Sequence, residues 1–260
     1  INHTLLHVYI EQAYDSMPGM NAWFGTEFNR QNTWFIHSKA WIDYIRRCNF
    51  MLRQGKPAND ICYFIGEDAP KMSGIRDPEI PRGYSYDYIN AEVILQRLSV
   101  KDGNLVLPDG VSYKLLVLPP QYTMRPELLK KISELVAQGA TILGNPPLKS
   151  PSLQNYPSAD NQVKDMAASL WQNADGVDIK QVKYGKGNVL RGMTMPQALQ
   201  FLKLAPDMQT AEDSILFIHR RLPNRDIYFL TNQSDQKIST TLSFRVKDKQ
   251  PELWNAITGE

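Results

Sequence analysis

Short apolar strands alternate with amphipathic helices between Asp60 and Leu143, and this alternation constrains the fold more than any other feature of the sequence. The predicted elements are strands at 60–65, 114–118 and 141–143 and helices at 88–98 and 126–138. Strands joined by helices of about 10–13 residues pair in parallel through right-handed crossovers. The middle of the chain is therefore predicted to form a parallel α/β sheet.

The loops that follow these strands form the predicted ligand-binding edge of the sheet, because ligands collect at the carboxyl ends of parallel strands. These loops cover residues 66–87, 119–125 and 144–157. The sequence contains neither of the two glycine-rich phosphate-binding patterns, GxGxxG and GxxxxGK[ST]. We therefore expect this sheet to bind no nucleotide.

From Ser214 onward the pattern changes to strands alone. The predicted elements before it are helices at 162–172 and 196–204 and a hairpin at 179–191, and the predicted strands after it are at 214–221, 226–233, 239–246 and 251–260. Apolar side chains at Leu242, Phe244 and Val246 recur with a period of two, which is typical of a strand with one buried face. This pattern favours the beginning of a β-sandwich.

The opening of the chain combines a predicted buried strand, Thr4–Ile10, with a predicted helix, Asn32–Gln54, and a long loop between them. Connections in compact domains have a median length of about 4–6 residues, and longer ordered loops are usually functional. This loop, 13–31, is rich in aromatic, carboxylate, amide and guanidinium side chains. Such a mixture suits a sugar, which offers apolar faces for stacking and hydroxyls for hydrogen bonds.

The candidate substrate-binding residues lie at the end of this strand and in the loop: His7, Glu11, Gln12, Arg30 and Trp34. Glu11 has the best position for an acid or base, because catalytic groups of β/α barrels gather where a strand ends. The alternative roles are structural. His7 would be a core histidine whose hydrogen bonds are satisfied, and Glu11 would be a partner of His7 or of Arg30. Arg30 would belong to an ion pair that stabilises the loop.

Composition excludes several functional classes. Of the 260 residues 42% are hydrophobic, a fraction typical of globular proteins. The net charge of +2 comes from interspersed acids and bases without a basic stripe. Nucleic acid is therefore not an expected partner. No apolar run approaches the roughly 18 residues that span a bilayer. The chain begins with Ile1 inside a strand pattern, so we expect a piece of a longer protein, with any secretion signal upstream of Ile1.

Other reactive side chains are predicted to be structural. Cys48 and Cys62 belong to no CxxC or Cys/His set, and burial is the expected role of both. His219, Arg220 and Arg221 form a basic cluster on a predicted strand, where a solvated surface is the favoured interpretation. Neither an HExxH nor an EF-hand pattern is present, so no metal site is predicted within the chain.

The sequence resembles glycoside hydrolase family 106, the α-L-rhamnosidases. The resemblance rests on these runs, in order: HVYIEQAYDSMPGMNAWFGTEFNRQNTW, WIDYIRRCNFMLRQGK, YFIGEDAP, GYSYDYINAEVI, LSVKDGNLVLPDGVSYKLLVLPP and PELWNAITGE. It covers nearly all of the chain. The family implies a (β/α)8 catalytic barrel with inverting chemistry, then a Rossmann-like domain of flavodoxin or amidotransferase type, and β-sandwich modules.

Under this resemblance the chain divides into the last βα unit of the barrel at 1–54, the Rossmann-like domain at 55–210 and the start of a β-sandwich at 211–260. The catalytic acid and base would lie upstream of Ile1, which leaves Glu11 as the best candidate inside the chain. His7, Gln12, Arg30 and Trp34 would border the pocket. The family also implies calcium in the full-length enzyme, with no cofactor in this chain, and a secreted or periplasmic location.

Two other functions stay open at this point. One is a non-catalytic carbohydrate-binding or structural module, and the other is a β-galactosidase-like glycosidase, which would share a barrel followed by a Rossmann-like domain. The predicted helix at 32–54 carries an apolar stripe that the missing part of a barrel would cover. In an isolated chain we therefore expect this helix either to repack on the α/β domain or to form a homodimer with another copy of the chain.

Overall fold

The computed structural model describes residues 3–7, 9–20, 28–68 and 74–260. A 3-10 turn at Phe35–His37 precedes the first of five α-helices in these ranges. The helices are α1 Ser38–Leu52, α2 Ala91–Gln96, α3 Pro126–Gln138, α4 Ser158–Trp171 and α5 Met195–Phe201. The strands are β1 Lys56–Pro57, β2 Ile61–Phe64, β3 Tyr86–Ile89, β4 Ser99–Lys101, β5 Asn104–Val106, β6 Ser112–Tyr113, β7 Leu115–Val117, β8 Thr141–Leu143, β9 Gln181–Tyr184, β10 Gly187–Leu190, β11 Met208–Gln209, β12 Ile215–Arg221, β13 Asp226–Asn232 and β14 Ser243–Phe244.

The largest sheet has six strands in the order β3-β2-β7-β8-β10-β9. The first five strands pair in parallel, and β9 is an antiparallel edge strand. The prediction of a parallel sheet from the strands near 61, 115 and 141 is therefore confirmed, within a fold that mixes parallel and antiparallel pairing. The smaller sheets are β4-β5-β6 and β11-β14, both antiparallel, and β1-β12-β13.

Both faces of the six-stranded sheet are buried. Because successive side chains of a strand point to opposite sides, they enter two different cores. In β2, Cys62 and Phe64 enter one core with α2, α3 and α4, whereas Ile61 and Tyr63 enter a second core with α5. All four side chains are no more than 2% exposed. Continuous apolar runs such as DICYFI form such strands because no face of the strand meets water.

The chain divides into two units. One contains residues 1–56, 220–229 and 246–260, and the other contains 57–219 and 230–245. The second unit holds the six-stranded sheet and both of its cores. The division at 1–54, 55–210 and 211–260, the Rossmann-like assignment and the barrel assignment stay predictions.

The opening segment differs from its prediction. The expected buried strand Thr4–Ile10 has no regular strand in its described residues, and Leu5 and Leu6 are 84% and 49% exposed. Backbone pairing there is limited to an isolated parallel bridge between Tyr9 and Phe28. An apolar run becomes a buried strand only when neighbouring strands pair with it on both sides, and the described residues supply no such pair.

The helix that follows has only part of its predicted stripe covered. Leu52 is 2% and Cys48 9% exposed, whereas Trp41 is 40% exposed. An open groove of about 680 Å³ runs along α1, and its lining includes Thr4, Leu6, Trp41, Ile42, Ile45 and Phe50. The helical periodicity is confirmed, but the strand that was expected to cover this face does not do so.

The second unit departs from its prediction in the bounds of one helix and in one small sheet. The helix predicted at 88–98 begins at Ala91, because Tyr88 and Ile89 pair with β2 as the edge strand and the side chain of Asn90 caps the helix. The small sheet β4-β5-β6 was not predicted. Its turn at Asp102-Gly103 has positive φ at both residues, so the Asp-Gly pair was the available sequence signal.

The strand-rich end is also shorter than predicted. The run at 239–246 pairs only at Ser243–Phe244, and the described residues of the run at 251–260 form no strand. Leu253, Trp254 and Ile257 are 94%, 65% and 75% exposed. A sandwich strand needs a facing sheet to bury its apolar alternation, and within the described part of the chain no second sheet buries these three side chains. The β-sandwich assignment stays a prediction.

Candidate functional site

All five predicted binding residues lie in the opening segment, on irregular backbone. His7, Glu11 and Arg30 are exposed, Trp34 is half-buried and Gln12 is 9% exposed. His7, Glu11, Arg30 and Trp34 are therefore accessible, and accessible loop side chains can reach a ligand.

Gln12 closes the loop on itself. Its side-chain Nε2 donates to the carbonyl of Met20 at 3.1 Å, and its Oε1 accepts from the Met20 amide at 2.7 Å. Gly19 lies next to this side chain with φ +81°. A Cβ at this position would lie 2.3 Å from Gln12 Oε1, so only glycine fits there. Because both halves of the amide are used, Gln12 holds the loop rather than presenting a free hydrogen-bonding group.

Arg30 forms an ion pair with Asp15. Its Nη2 donates to Asp15 Oδ1 at 2.7 Å, and Gln31 Nε2 donates to the same oxygen at 3.0 Å. The hydrogen bond and charge of Arg30 lower the pKa of Asp15 below its usual value, and the same partner raises the pKa of Arg30. Within the described residues Arg30 pairs with Asp15 and not with Glu11, so the result is an exposed, pre-oriented guanidinium and carboxylate.

Trp34 belongs to an aromatic cluster with Phe28 and Trp41. Phe28 stacks on Trp41 with ring centroids 5.8 Å apart and 10° between the planes. Trp34 meets both rings edge-on, at 5.7 Å and 6.4 Å. This cluster is a partly exposed aromatic surface, and Phe28 within it lies two residues before Arg30 in the sequence.

Sequence reasoning missed Asn29, which is 1% exposed within the same loop. Its Oδ1 accepts from the Gln31 amide at 2.9 Å, whereas its Nδ2 has no hydrogen-bond partner among the described residues. A buried unpaired donor costs about 1–3 kcal/mol, so native proteins rarely retain one without a use. No sequence pattern distinguishes this asparagine from an ordinary loop residue.

Of the basic cluster on β12, Arg221 is exposed as the sequence predicted, whereas His219 is not solvated. His219 is buried, and its Nδ1 lies 2.7 Å from Oδ2 of Asp207, which is buried as well. The Nε of Arg245 lies 3.7 Å from Asp207 Oδ1, and its Nη2 pairs with Asp60. Because His219 and Asp207 are sealed from solvent, this network is structural.

A cation site is not formed by the residues that can be described. Across 3–7, 9–20, 28–68 and 74–260, no group of three His, Cys, Asp or Glu side chains is arranged to hold a metal ion. In the same ranges no helix is long and apolar enough to cross a membrane.

Comparisons with known proteins give the family context for this geometry. A protein of Formosa agariphila named "Putative beta-glucuronidase" is 39% identical over 261 residues, which cover all of this chain and 21% of that protein. The structure of a rhamnosidase from Novosphingobium sp. PP1Y has a TM-score of 0.81 and 34% identity, covering 91% of this chain and 23% of the rhamnosidase chain. This chain thus spans about a fifth of the length of either protein.

The family model for glycoside hydrolase family 106, described as alpha-L-rhamnosidase, matches residues 1–260. The match covers both units and includes every predicted binding residue. The chain therefore belongs to glycoside hydrolase family 106.

Proposed function

We propose that this chain is part of an inverting glycosidase that releases terminal α-L-rhamnose from polysaccharide, with the opening segment as one edge of the sugar-binding site. The observation that carries the proposal is the likeness to the Novosphingobium rhamnosidase over 91% of this chain. The family match over the whole chain supports the same reaction class.

The opening segment has the side chains that such an edge requires. The rings of Phe28, Trp34 and Trp41 offer apolar surface to the C–H face of a sugar ring. The pair of Arg30 and Asp15 adds a donor and an acceptor with fixed orientation, and hydrogen bonds to charged groups are the strong ones. These groups would position a sugar by stacking on one side and by charge-assisted hydrogen bonds on the other.

The acid and base are proposed to lie in the part of the longer protein that precedes Ile1. An inverting glycosidase needs two carboxyl groups about 6.5–9.5 Å apart, on opposite sides of the scissile bond. Glu11 is the best candidate for a contributing carboxylate in this chain, because it is exposed and follows the segment that the resemblance assigns to a barrel strand.

The test is hydrolysis of an aryl α-L-rhamnoside by the longer protein beside the 260-residue chain. We expect turnover by the longer protein and none by the chain alone. Glu11→Gln in the longer protein should lower kcat/KM at least about tenfold, since a lost hydrogen bond to a charged group costs about 1.5–3 kcal/mol. Glu92→Gln, at an exposed position of α2, is the matched control and should leave the rate unchanged.

Three outcomes would contradict parts of this proposal. Activity of the 260-residue chain equal to that of the longer protein would show that the catalytic acid and base lie within residues 1–260. An unchanged rate for Glu11→Gln would remove Glu11 from the site. Failure of the longer protein to cleave any glycoside would favour the non-catalytic module instead.

A second candidate is β-glucuronide hydrolysis, which the name of the Formosa agariphila relative favours. A glucuronide carries a carboxylate that an arginine such as Arg30 could bind in a bidentate manner. The same assay with an aryl β-D-glucuronide separates the two candidates. An aryl β-D-galactoside added to the panel tests the β-galactosidase-like alternative.

The remaining expectations belong to the longer protein. We propose a secreted or periplasmic location, which cell fractionation tests, and a calcium requirement, which activity after chelation tests. The proposed homodimer of the isolated chain, through the groove along α1, is tested by its mass in solution.

A further inference from the structure

A cleft of about 490 Å³ with both polar and apolar lining lies in the second unit, between the amino ends of α3 and α4. These helices follow β7 and β8, so the cleft is at the carboxyl edge of the parallel strands, where sheets of this kind bind ligands. Its volume is within the range of about 300–1,000 Å³ typical of small-molecule sites. The opening-segment site has no part in it.

The charges that line this cleft are compensated. Glu67, whose side chain is 7% exposed, accepts from the Arg125 backbone amide at 3.0 Å and from Nε at 2.5 Å. Glu127 accepts from Arg125 Nη1 at 2.8 Å. These contacts raise the pKa of Arg125, chiefly through the Glu67 hydrogen bond. The guanidinium therefore stays charged and remains bound to the two glutamates. The lining contains one further cation, Lys130, and one further carboxylate, Asp165, so its two cations and two carboxylates give no net charge. A neutral ligand therefore fits better than an anion.

Uncharged hydrogen-bonding groups make up much of the remaining wall. The side-chain amides of Gln154, Asn155 and Gln162 line the cleft, and among the described residues none of the three has a hydrogen-bond partner. Each amide supplies both a donor and an acceptor, which is the combination that a sugar hydroxyl uses. Three unused amides on one cleft can bind several hydroxyls at once.

The loop that carries this wall is held in place by the protein itself. The Ser150 amide donates to Asp160 Oδ1 of α4 at 3.0 Å, and Ser150 is 7% exposed. The Ala159 amide donates to the Asn155 carbonyl at 2.9 Å. Tyr156, which directly follows Asn155, is 64% exposed and offers an aromatic face. A wall that is already ordered loses little conformational entropy when a ligand binds.

We propose that this cleft binds a neutral sugar unit, in addition to the sugar site of the opening segment. Hydroxyls of the sugar bind the amides of Gln154, Asn155 and Gln162, and the ring packs on the apolar floor that Pro126 and Met166 provide. Because Arg125 is held in ion pairs and the lining has no net charge, the cleft favours uncharged pyranosides over phosphate or uronic acids. The inference goes beyond the proposed function, because it does not depend on which bond the longer protein cleaves.

The experiment is an NMR titration of the ¹⁵N-labelled 260-residue chain with methyl α-L-rhamnopyranoside, followed at the side-chain amide signals. We expect saturable shifts at these three amides, and weaker effects of methyl β-D-glucuronide and of inorganic phosphate. Asn155→Gly and Gln162→Ala should each weaken binding about fivefold, the loss of one neutral hydrogen bond. Glycine is the replacement at Asn155 because its φ is +56°, which alanine adopts only with strain.

Gln138→Ala is the matched control, since Gln138 is an exposed amide at the opposite end of α3. It should leave binding unchanged, and the melting temperature of each variant reports folding. The proposal is overturned if the three amides show no saturable shift, if phosphate or glucuronide binds more tightly than the rhamnoside, or if the control weakens binding equally. Glycoside hydrolysis by the longer protein is a separate measurement, so either proposal can fail without the other.

Discussion

Removing the imidazole of His219 should destabilise the protein strongly, although the residue belongs to no predicted site. In the folded chain its Nδ1 lies 2.7 Å from the carboxylate of Asp207, and neither side chain is more than 1% exposed. His219→Ala takes a hydrogen-bond partner from a buried carboxylate and leaves a cavity. Losing one partner of a buried pair costs about 3–5 kcal/mol. Arg245, at 3.7 Å, compensates part of that charge, so we expect about 3 kcal/mol.

The assay is urea unfolding followed by far-UV circular dichroism, with the thermal midpoint as a second measurement. For a unit of this size, about 3 kcal/mol corresponds to a fall in Tm of roughly 6–12 °C. Asp207→Asn should cost less than His219→Ala, because an asparagine oxygen still accepts a hydrogen bond from the imidazole. His37→Ala, at an exposed position, is the control and should stay within about 0.5 kcal/mol. Losses below about 1 kcal/mol for both buried variants would refute the reasoning.

Two further predictions concern ionisation. Arg30→Gln should raise the pKa of Asp15 towards its ordinary value, because the hydrogen bond and charge of Arg30 are what lower it. The ion pair is therefore intact above the ordinary carboxyl pKa and is lost as the pH falls through the lowered pKa. An NMR titration of the Asp15 carboxyl measures this, and equal pKa values in both proteins would disprove the pairing. Burial raises the pKa of Cys62, so its thiol should resist alkylation in the folded chain, and rapid modification without urea would contradict its position in the core.

The sequence by itself determined the elements whose cause is local. The helix Pro126–Gln138 and the strand Thr141–Leu143 have their predicted bounds, because proline begins the helix, Gly139 follows its last residue, and an apolar run of strand formers comes next. Parallel pairing also followed from the sequence, since an intervening helix leaves few other ways to connect two strands. The resemblance to α-L-rhamnosidases rested on runs of residues along the chain, and the family match confirms it.

The tertiary structure alone decided burial and partners. His219 and Arg221 lie on the same strand with similar local sequence, yet one is buried against Asp207 and the other is exposed. Leu5 and Leu6 have the pattern of a core strand but are exposed, because burial depends on residues distant in sequence. The pairing of Arg30 with Asp15 rather than with Glu11 is another such contact. Periodicity states which side chains could share a face, whereas the long-range packing of the chain decides what that face meets.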